Sequence, residues 1–246
     1  MEQKFALIIG GSGGIGLETA KTLSKQGLKV GITYHTNESR LKKELSGKNI
    51  ENHFFYQMDL TDEESIKKTI FKILKEHSKI DVVVHCATAP ITNKAIFDLS
   101  WGEFQQHLEV QIKGLFTVVK SLSPLIQKNH EIKFITVLTE YCFGKPPIML
   151  SHYVTAKYGL MGFVKSMSSE LTAHNCTFNM VSPGMVDTAL LDNLNPKIRE
   201  VNAFKNPMKK IAQPSDVAEA ISFLISEKAG YLNGVNILIN GGNVLM

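Results

Sequence analysis

Short apolar segments and longer amphipathic segments alternate along the whole chain. The apolar segments have the length of buried strands and lie at 5–9, 30–34, 54–57, 81–85, 133–139, 177–181 and 235–239. The segments between them have the period of helices and lie near 15–26, 38–46, 62–77, 102–127, 151–174 and 215–226. Thr61 or Asp62 can cap the third helix, with Glu64 completing a box-like start. Repeated strand–helix units predict an α/β fold, a doubly wound parallel sheet with helices on both faces and right-handed crossovers.

Composition narrows the class of protein. A length of 246 residues fits one domain spanning residues 1–246, and 43% hydrophobic with 20% charged residues is ordinary for a globular protein. The net charge of +4 is scattered, so nucleic acid is not an expected partner. The first strand begins within five residues, and no apolar run has the roughly 18 residues that span a bilayer, so we expect no signal peptide and no membrane segment. The widely spaced Cys86, Cys142 and Cys176 predict no metal site, and a cytoplasmic setting is the simplest expectation.

A glycine-rich loop joins the first predicted strand to the first predicted helix. It reads Ile8-Ile9-Gly10-Gly11-Ser12-Gly13-Gly14-Ile15-Gly16. Glycines allow the backbone to approach phosphates, and the helix start supplies free N–H groups and a partial positive charge. Strand, glycine turn and helix together therefore favour a dinucleotide pyrophosphate site over a merely flexible turn.

Tyr153 and Lys157 are four residues apart in the predicted helix 151–174, so they share one face. An ammonium beside a phenol favours the phenolate, which predicts a lowered pKa for Tyr153. Such a pair can exchange a proton with a substrate oxygen, although the spacing alone is more typical of a solvated helix face. Ligands of parallel sheets bind beyond the carboxyl ends of the strands, so this pair is expected to border the same crevice as the glycine loop.

Other motifs occur in the same order as in a known family. They are Asp59-Leu60 after the third strand, the Pro183-Gly184 turn, and the C-terminal 230–234 and 240–242 segments. With the glycine loop and Tyr-x-x-x-Lys, they make nearly the whole chain resemble the single-domain short-chain dehydrogenases/reductases, and most of all the 3-oxoacyl-carrier-protein reductases. The resemblance implies a Rossmann-type fold with Tyr153 and Lys157 in catalysis. It also implies that the dinucleotide is bound by Gly10, Ser12, Gly13, Gly14, Ile15, Gly16, Tyr34, His35, Thr36, Asp59, Leu60, Cys86, Ala87, Thr88, Lys157, Pro183, Gly184, Val186 and Thr188.

The chain departs from the family pattern at three places. The sequence 85–88, His-Cys-Ala-Thr, stands where the family has Asn-Asn-Ala-Gly, and we expect His85 to be a hydrogen-bonded core histidine. Gln111 stands where the family has the asparagine of a water-filled proton path, and it is one methylene longer. The catalytic serine falls on Thr139 or Glu140. We prefer Thr139, with one residue inserted before Ser151, because a hydroxyl can donate to a carbonyl and a carboxylate cannot.

The resemblance implies NADPH-dependent reduction of a ketone to a secondary alcohol. Tyr153 would protonate the alkoxide, Lys157 would tune Tyr153 and hold the nicotinamide ribose, Thr139 would orient the carbonyl, and Gln111 would position a relay water. Tyr34 stands where an NAD site needs a carboxylate, and His35 and Thr36, with Ser12 or Arg40, can receive a 2′-phosphate. NADP(H) is therefore favoured over NAD(H), although Gly13 stands where many NADP-binding relatives have arginine.

The substrate is less defined than the reaction. A lid at about 188–210 carries apolar residues that suit an acyl or aromatic group, or that simply pack on the domain: Leu190, Leu191, Leu194, Ile198, Val201, Phe204 and Met208. We expect a small-molecule or acyl-carrier-bound substrate and a homo-oligomer, a tetramer or dimer pairing 102–127 and 151–174, with a hetero-oligomer of a related subunit as an alternative. Two other functions stay open, a catalytically weakened dinucleotide-binding regulator and an enzyme that oxidises or dehydrates a specialised metabolite.

Overall fold

A parallel sheet forms the centre of the molecule in the computed structural model, which describes residues 3–36, 38–45, 50–191 and 196–245. Its seven strands are β1 (Phe5–Ile9), β2 (Lys29–Tyr34), β3 (His53–Gln57), β4 (Val82–His85), β5 (Ile132–Val137), β6 (Cys176–Pro183) and β7 (Asn236–Ile239). They lie in the order β3-β2-β1-β4-β5-β6-β7, and every pair is parallel. The predicted Rossmann-type fold is confirmed. The strand order reverses beside β1, so a crevice opens between the carboxyl ends of β1 and β4.

Helices cover both faces of the sheet. They are α1 (Gly14–Lys25), α2 (Glu38–Glu44), α3 (Glu63–His77), α4 (Trp101–Leu108), α5 (Gly114–Ser121), α6 (Ser123–Ile126), α7 (Ser151–Glu170), α8 (Pro196–Lys205) and α9 (Pro214–Ile225). Asp62 caps α3 by accepting a hydrogen bond from the Glu64 N–H, which selects it over Thr61. None of the helices in the described part of the chain is long and apolar enough to cross a membrane.

Two apolar cores flank the sheet because alternate strand side chains point to opposite faces. In β1, Phe5, Leu7 and Ile9 enter the core under α3, α5 and α7, while Ala6 and Ile8 enter the core under α1 and α9. The burial of all five residues explains why this strand is an unbroken apolar run.

Two predicted elements end earlier than the sequence pattern indicates. The strand predicted at 133–139 ends at Val137, and Thr139 becomes the cap of a short 3₁₀ turn over Glu140–Cys142. The helix predicted at 102–127 is interrupted by a π-helical turn over Glu109–Lys113. Such turns insert one extra residue and are frequent at functional sites. Both breaks fall beside residues with predicted catalytic roles.

A pair of stacked aromatic rings supports the centre of the first core. Phe134 of β5 and Phe178 of β6 are fully buried, with ring centroids 4.2 Å apart and planes 3° from parallel. Replacing Phe178 by Ala is expected to lower the free energy of unfolding by about 3–5 kcal/mol, because it leaves a cavity and removes the ring contact. Urea denaturation measures the loss. Phe71→Ala is the control, since Phe71 is 70% exposed, and an equal loss in both variants would contradict this account of the core.

Candidate active site

The glycine loop is shaped by close backbone contacts. A Cβ on Gly10, whose φ is +79°, would lie 2.7 Å from the backbone N of Ala87, and a Cβ on Gly16 would lie 2.4 Å from the Gly10 carbonyl oxygen. Only glycine fits at these two positions. At Gly13 the space beyond the backbone is open, and no side chain caps the start of α1 there. The loop therefore presents helix N–H groups and an open surface to the crevice, which fits a dinucleotide pyrophosphate.

The carboxyl ends of β2 and β3 form the wall next to this loop. His35 Nε2 lies 3.6 Å from Asp59 Oδ2, and Thr61 donates to Asp59 Oδ1 from its backbone N–H at 2.8 Å and its hydroxyl at 2.7 Å. These hydrogen bonds, with a smaller contribution from His35, lower the pKa of Asp59. Asp59 is therefore an anionic acceptor at this edge, suited to an amino group or a hydroxyl.

The positions predicted to receive a 2′-phosphate are only partly described. Ser12, His35 and Thr36 are exposed. Asn37 and the Arg40 side chain lie outside the described residues. The Glu38 side chain lies next to Tyr34 and is hydrogen-bonded to the Tyr34 hydroxyl. Glu38 is four residues from Tyr34 in the chain, but the sequence pattern did not predict this contact.

The segment after β4 packs closely against the glycine loop. The Cys86 N–H donates to the Ile9 carbonyl at 2.8 Å, which continues the β1–β4 pairing to the edge of the crevice. Burial raises the pKa of the Cys86 thiol to about 12 and lowers the pKa of His85 to about 3, so both side chains are neutral. Ala87 meets Gly10, and the Thr88 hydroxyl donates to the Ala89 carbonyl. His85 is buried in the strand as expected, but neither of its ring nitrogens has a hydrogen-bond partner among the described residues.

The turn after β6 reaches back to the glycine loop. Pro183 ends β6, the Gly184 N–H donates to the Ile239 carbonyl, and Val186 is buried in a bridge with Ala212. The Thr188 methyl group lies 3.0 Å from the position of a Cβ on Gly14. Thr188 therefore borders the pyrophosphate-binding surface, as the motif order predicts for a residue at the nicotinamide end.

The segment 188–210, the predicted lid, exposes most of the apolar side chains that the structure describes in it. Ala189–Leu191 forms a 3₁₀ turn, α8 follows, and Leu194 lies outside the described residues. Phe204 is 75% exposed and Met208 is 60% exposed, while Leu190, Ile198 and Val201 are also exposed. These five side chains are therefore not buried against the rest of the domain, which was the alternative interpretation of the apolar residues in this segment.

Tyr153 and Lys157 lie on the first two turns of α7, beside the carboxyl end of β5. Lys157 Nζ donates to the Val137 carbonyl at 2.7 Å and lies 5.7 Å from the Tyr153 ring centroid. The Tyr153 hydroxyl is hydrogen-bonded to the Thr139 side chain. A phenol, a hydroxyl and a buried ammonium thus meet at the edge of the sheet where the glycine loop lies.

Burial controls the acidity of this group. It raises the pKa of Tyr153, and the smaller opposing effect of the Thr139 hydrogen bond does not reverse the shift. It lowers the pKa of Lys157 to about 8. The expectation that Lys157 lowers the pKa of Tyr153 is wrong for this structure, because the ammonium is directed at Val137 and the phenol loses its own hydration. At neutral pH the pair is a neutral phenol and an ammonium, which is the protonated form that a proton donor needs.

Thr139, and not Glu140, faces Tyr153. Glu140 points to the other side of the loop, where both of its carboxylate oxygens lie 3.1 Å from Asn243 Nδ2. The two neighbours diverge because Thr139 is the extended cap and Glu140 begins the 3₁₀ turn. The Thr139 hydroxyl therefore lies beside the Tyr153 phenol, as the preferred alignment with one residue inserted before Ser151 predicts.

Gln111 lies in the π-helical turn and is fully buried. His107 Nε2 lies 3.2 Å from the Pro90 carbonyl, which can only accept, so Nε2 carries the proton. His107 Nδ1 then accepts from Gln111 Nε2 at 3.1 Å. Among the described residues, Gln111 Oε1 has no hydrogen-bond partner. An unused buried acceptor suits an ordered water, as the predicted relay requires.

Two histidines beside Tyr153 were missed by the sequence reasoning. The His107 ring lies 4.7 Å from the His152 ring and 6.0 Å from the Tyr153 ring, all between centroids. Burial lowers the pKa of both histidines, that of His107 to about 4. They were detectable, since His107 precedes Gln111 by one helical turn and His152 precedes Tyr153 directly. They enclose the phenol in a neutral, desolvated setting.

This fold and this site define a class, the nicotinamide-dinucleotide-dependent oxidoreductases. A family profile described as enoyl-(acyl carrier protein) reductase matches residues 10–243. The chain belongs to the short-chain dehydrogenase/reductase family, as its motifs predict.

Named relatives cover the whole chain. The 3-oxoacyl-[acyl-carrier-protein] reductase FabG of Buchnera aphidicola subsp. Schizaphis graminum is 31% identical over an alignment of 246 positions, which covers 98% of this chain and 98% of the relative. FabG of Thermotoga maritima is 29% identical over 251 residues, covering 100% of this chain and 99% of the relative. The solved structure of ElxO with NADP bound matches with a TM-score of 0.89 and 26% identity, covering 98% of this chain and 99% of that one.

The lowered pKa of Lys157 predicts a pH dependence of stability. The unfolded lysine keeps its proton up to about pH 10.5, whereas the folded one loses it above about pH 8. Between these values the unfolded state binds more protons, so the stability of the wild type relative to Lys157→Met rises with pH, by up to about 1.4 kcal/mol per pH unit. Urea denaturation at about pH 7.5, 8.5 and 9.5 measures the difference in the free energy of unfolding between the two proteins.

The matched control is Lys165→Met, because Lys165 is an exposed lysine on the same helix. Its stability difference from the wild type is expected to stay constant over the same range. A constant difference for Lys157→Met as well would show that Lys157 is not desolvated as described.

Proposed function

We propose that this protein reduces a ketone to a secondary alcohol with NADPH, and that its substrates are 3-oxoacyl thioesters or related acyl-carrier-bound intermediates. The observation that carries the proposal is the neutral Tyr153 phenol, hydrogen-bonded to Thr139 and backed by the Lys157 ammonium. Support for the substrate class comes from the FabG relatives and from the apolar lid. The dinucleotide, when bound, supplies the hydride.

Each side chain has a defined task in this proposal. The hydroxyl of Thr139 and the phenol of Tyr153 converge, so they hold one carbonyl oxygen between two donors. Tyr153 gives its proton to that oxygen as the alkoxide forms. Lys157 places an ammonium 5.7 Å from the Tyr153 ring, and its pKa of about 8 allows it to return a proton to the phenolate near neutral pH. At pH 7 both groups hold their protons, which is the state from which reduction starts.

The proton consumed in each turnover has a route through Gln111. Its Oε1 is a buried acceptor that no described residue uses, and its amide is held by His107. A water held at Oε1 would connect the buried site to the π-helical turn. Gln111 thus takes the part of the family's asparagine, with the longer side chain anchored by a histidine.

The choice of NADPH rests on the end of β2. Tyr34 supplies no negative charge there, and the nearby Glu38 carboxylate is bonded to Lys42 Nζ at 2.8 Å as well as to the Tyr34 hydroxyl. Paired in this way, Glu38 repels a 2′-phosphate less than a free carboxylate does. ElxO, which is similar to this chain in fold and sequence, has NADP bound in its structure, and this similarity supports the same choice.

We also propose that the whole chain acts as one catalytic domain, with residues 188–210 as its lid, within a homo-oligomer. The exposed aromatic side chains of α4, α5 and α7 support this assembly: Trp101 is 67%, Phe116 is 47% and Tyr158 is 43% exposed. Apolar area of this kind is commonly buried between subunits.

Replacing Tyr153 by Phe tests the reaction. Without the phenolic proton, kcat for acetoacetyl-CoA is expected to fall by about 10²–10⁴-fold, followed as loss of NADPH absorbance. NADPH affinity, measured by the fluorescence of the bound nicotinamide, is expected to stay unchanged because the ring remains. Tyr158→Phe on the same helix is the control. Full activity of Tyr153→Phe would refute the proposed role, and NADPH binding by the wild type without turnover of any ketone would favour a regulator instead.

Replacing Tyr34 by Asp tests the cofactor choice. A carboxylate at the end of β2 would repel the 2′-phosphate and accept from a 2′-hydroxyl. The ratio of kcat/KM for NADPH to kcat/KM for NADH is expected to fall by at least about tenfold. Tyr34→Phe removes the hydroxyl without adding charge and should leave the ratio high. Equal use of NADH and NADPH by the wild type would contradict the preference.

A further inference from the structure

A cavity of about 360 Å³ lies beyond the carboxyl ends of β6 and β7. Residues near the end of the segment 188–210 and in the C-terminal turn 240–243 contribute to its lining. Its lining includes Glu140, Gly184, Asn206, Met208, Asn240 and Asn243. Glu140 directly follows Thr139, and Gly184 ends the turn at the predicted nicotinamide position. The cavity therefore lies next to two predicted site segments, the Thr139-Glu140 pair and the turn after β6, at the end of the sheet formed by β6 and β7.

Glu140 contributes a carboxylate to the lining of this cavity. Glu140 is only 4% exposed. Its described partner is the Asn243 amide, and within the described ranges no lysine, arginine or histidine forms an ion pair with it. A buried carboxylate is costly unless it is paired or fully hydrogen-bonded. Its two oxygens offer about four acceptor positions, of which one amide group uses at most two. Glu140 therefore has acceptor capacity left on a cavity wall.

The carboxylate is held in place rather than free to turn away. A Cβ on Gly184 would lie 3.1 Å from Glu140 Oε1, so the carboxylate packs against that glycine. Asn243 is anchored through its N–H to the Asn240 carbonyl, and the Asn206 amide donates to the same carbonyl at 2.8 Å. These bonds hold the C-terminal turn, the lid end and Glu140 as one unit.

The other polar groups of the cavity are already engaged or exposed. The Asn240 amide donates to the Val244 carbonyl at 2.8 Å and accepts from the Gly242 N–H at 3.1 Å. Lys205 and Lys210 also line the cavity, but both side chains are exposed and can turn to solvent. Glu140 thus offers acceptor positions on the cavity wall that a ligand carrying hydrogen-bond donors could use.

We propose that this cavity receives the far end of the ketone substrate, and that Glu140 recognises an ammonium or hydroxyl group there. The inference rests on the proposed ketone reduction and deepens it, because it assigns a donor-bearing end to the substrate in place of a plain alkyl chain. The reacting carbonyl lies at Tyr153 and Thr139, and the recognised group lies on the other side of the same loop, at Glu140. Glu140 is a specificity residue and has no part in the proton transfer.

Four ketones of matched length test the assignment: 8-aminooctan-2-one, 8-hydroxyoctan-2-one, nonan-2-one and 7-oxooctanoate. With NADPH, kcat/KM is expected to be about ten- to a hundredfold higher for the amine and the alcohol than for nonan-2-one, and lowest for the carboxylate. Glu140→Gln keeps the size but loses charge and acceptor capacity, so it should bring the amine-to-alkyl ratio close to one. Glu219→Gln alters an exposed carboxylate on α9 and should keep the wild-type ratio.

The outcomes separate the two proposals. Equal use of nonan-2-one and the amine by the wild type overturns the role of Glu140 while ketone reduction stands, and this ranking needs no variant to fold. If no ketone is reduced although NADPH binds, the proposed function fails. Thermal denaturation of the NADP⁺-bound wild type then tests whether the cavity binds a donor-bearing ligand, independently of any turnover. Hexylammonium is expected to raise the melting temperature more than hexanoate does, and no difference between them would exclude a donor-binding cavity.

Discussion

The burial of Lys157 is the constraint on which the site depends. Its ammonium is buried among apolar and neutral groups and donates a hydrogen bond to the Val137 carbonyl. This bond ties α7 to the end of β5, and the same contact brings Tyr153 to Thr139. Desolvation then shifts the two pKa values in opposite directions, up for the phenol and down for the ammonium. A buried charge that costs stability is thus kept where it positions the Tyr153 phenol, as the proposed proton transfer requires.

Much of the fold could be predicted because single segments carry its signals. β4 consists of three valines followed by His85, and Asp62 is followed by a helical pattern, so both elements follow from local sequence. The glycine loop was also predictable, since the close contacts of Gly10 and Gly16 exclude any side chain. The π-helical turn at Glu109–Lys113 was not, because the helical pattern continues through it. The break is accompanied by the burial of Gln111 and its bond to His107, which depend on packing against α7.

The candidate site was predictable in its residues but not in its electrostatics. Tyr153 and Lys157 follow from spacing and motif, yet the direction of the Tyr153 pKa shift depends on how deeply α7 is buried. That burial involves partners distant in the chain, such as Cys86 and Val137, which no local pattern reveals. The choice between Thr139 and Glu140 likewise depended on where β5 ends, and strand ends are the least certain part of a sequence interpretation.

Two of the three departures from the family pattern lie on either side of Tyr153, and each of these two has a hydrogen-bond partner in this chain. On the side of α4 and α5, the longer Gln111 is accompanied by His107, which holds its amide and leaves its oxygen free. On the side of β7, Glu140 is accompanied by Asn243, which holds the carboxylate. Buried polar groups are stable only where their hydrogen bonds are provided, and both groups have such partners here. The two positions are therefore compatible with the proposed ketone reduction, because neither disturbs the contact between Tyr153 and Thr139.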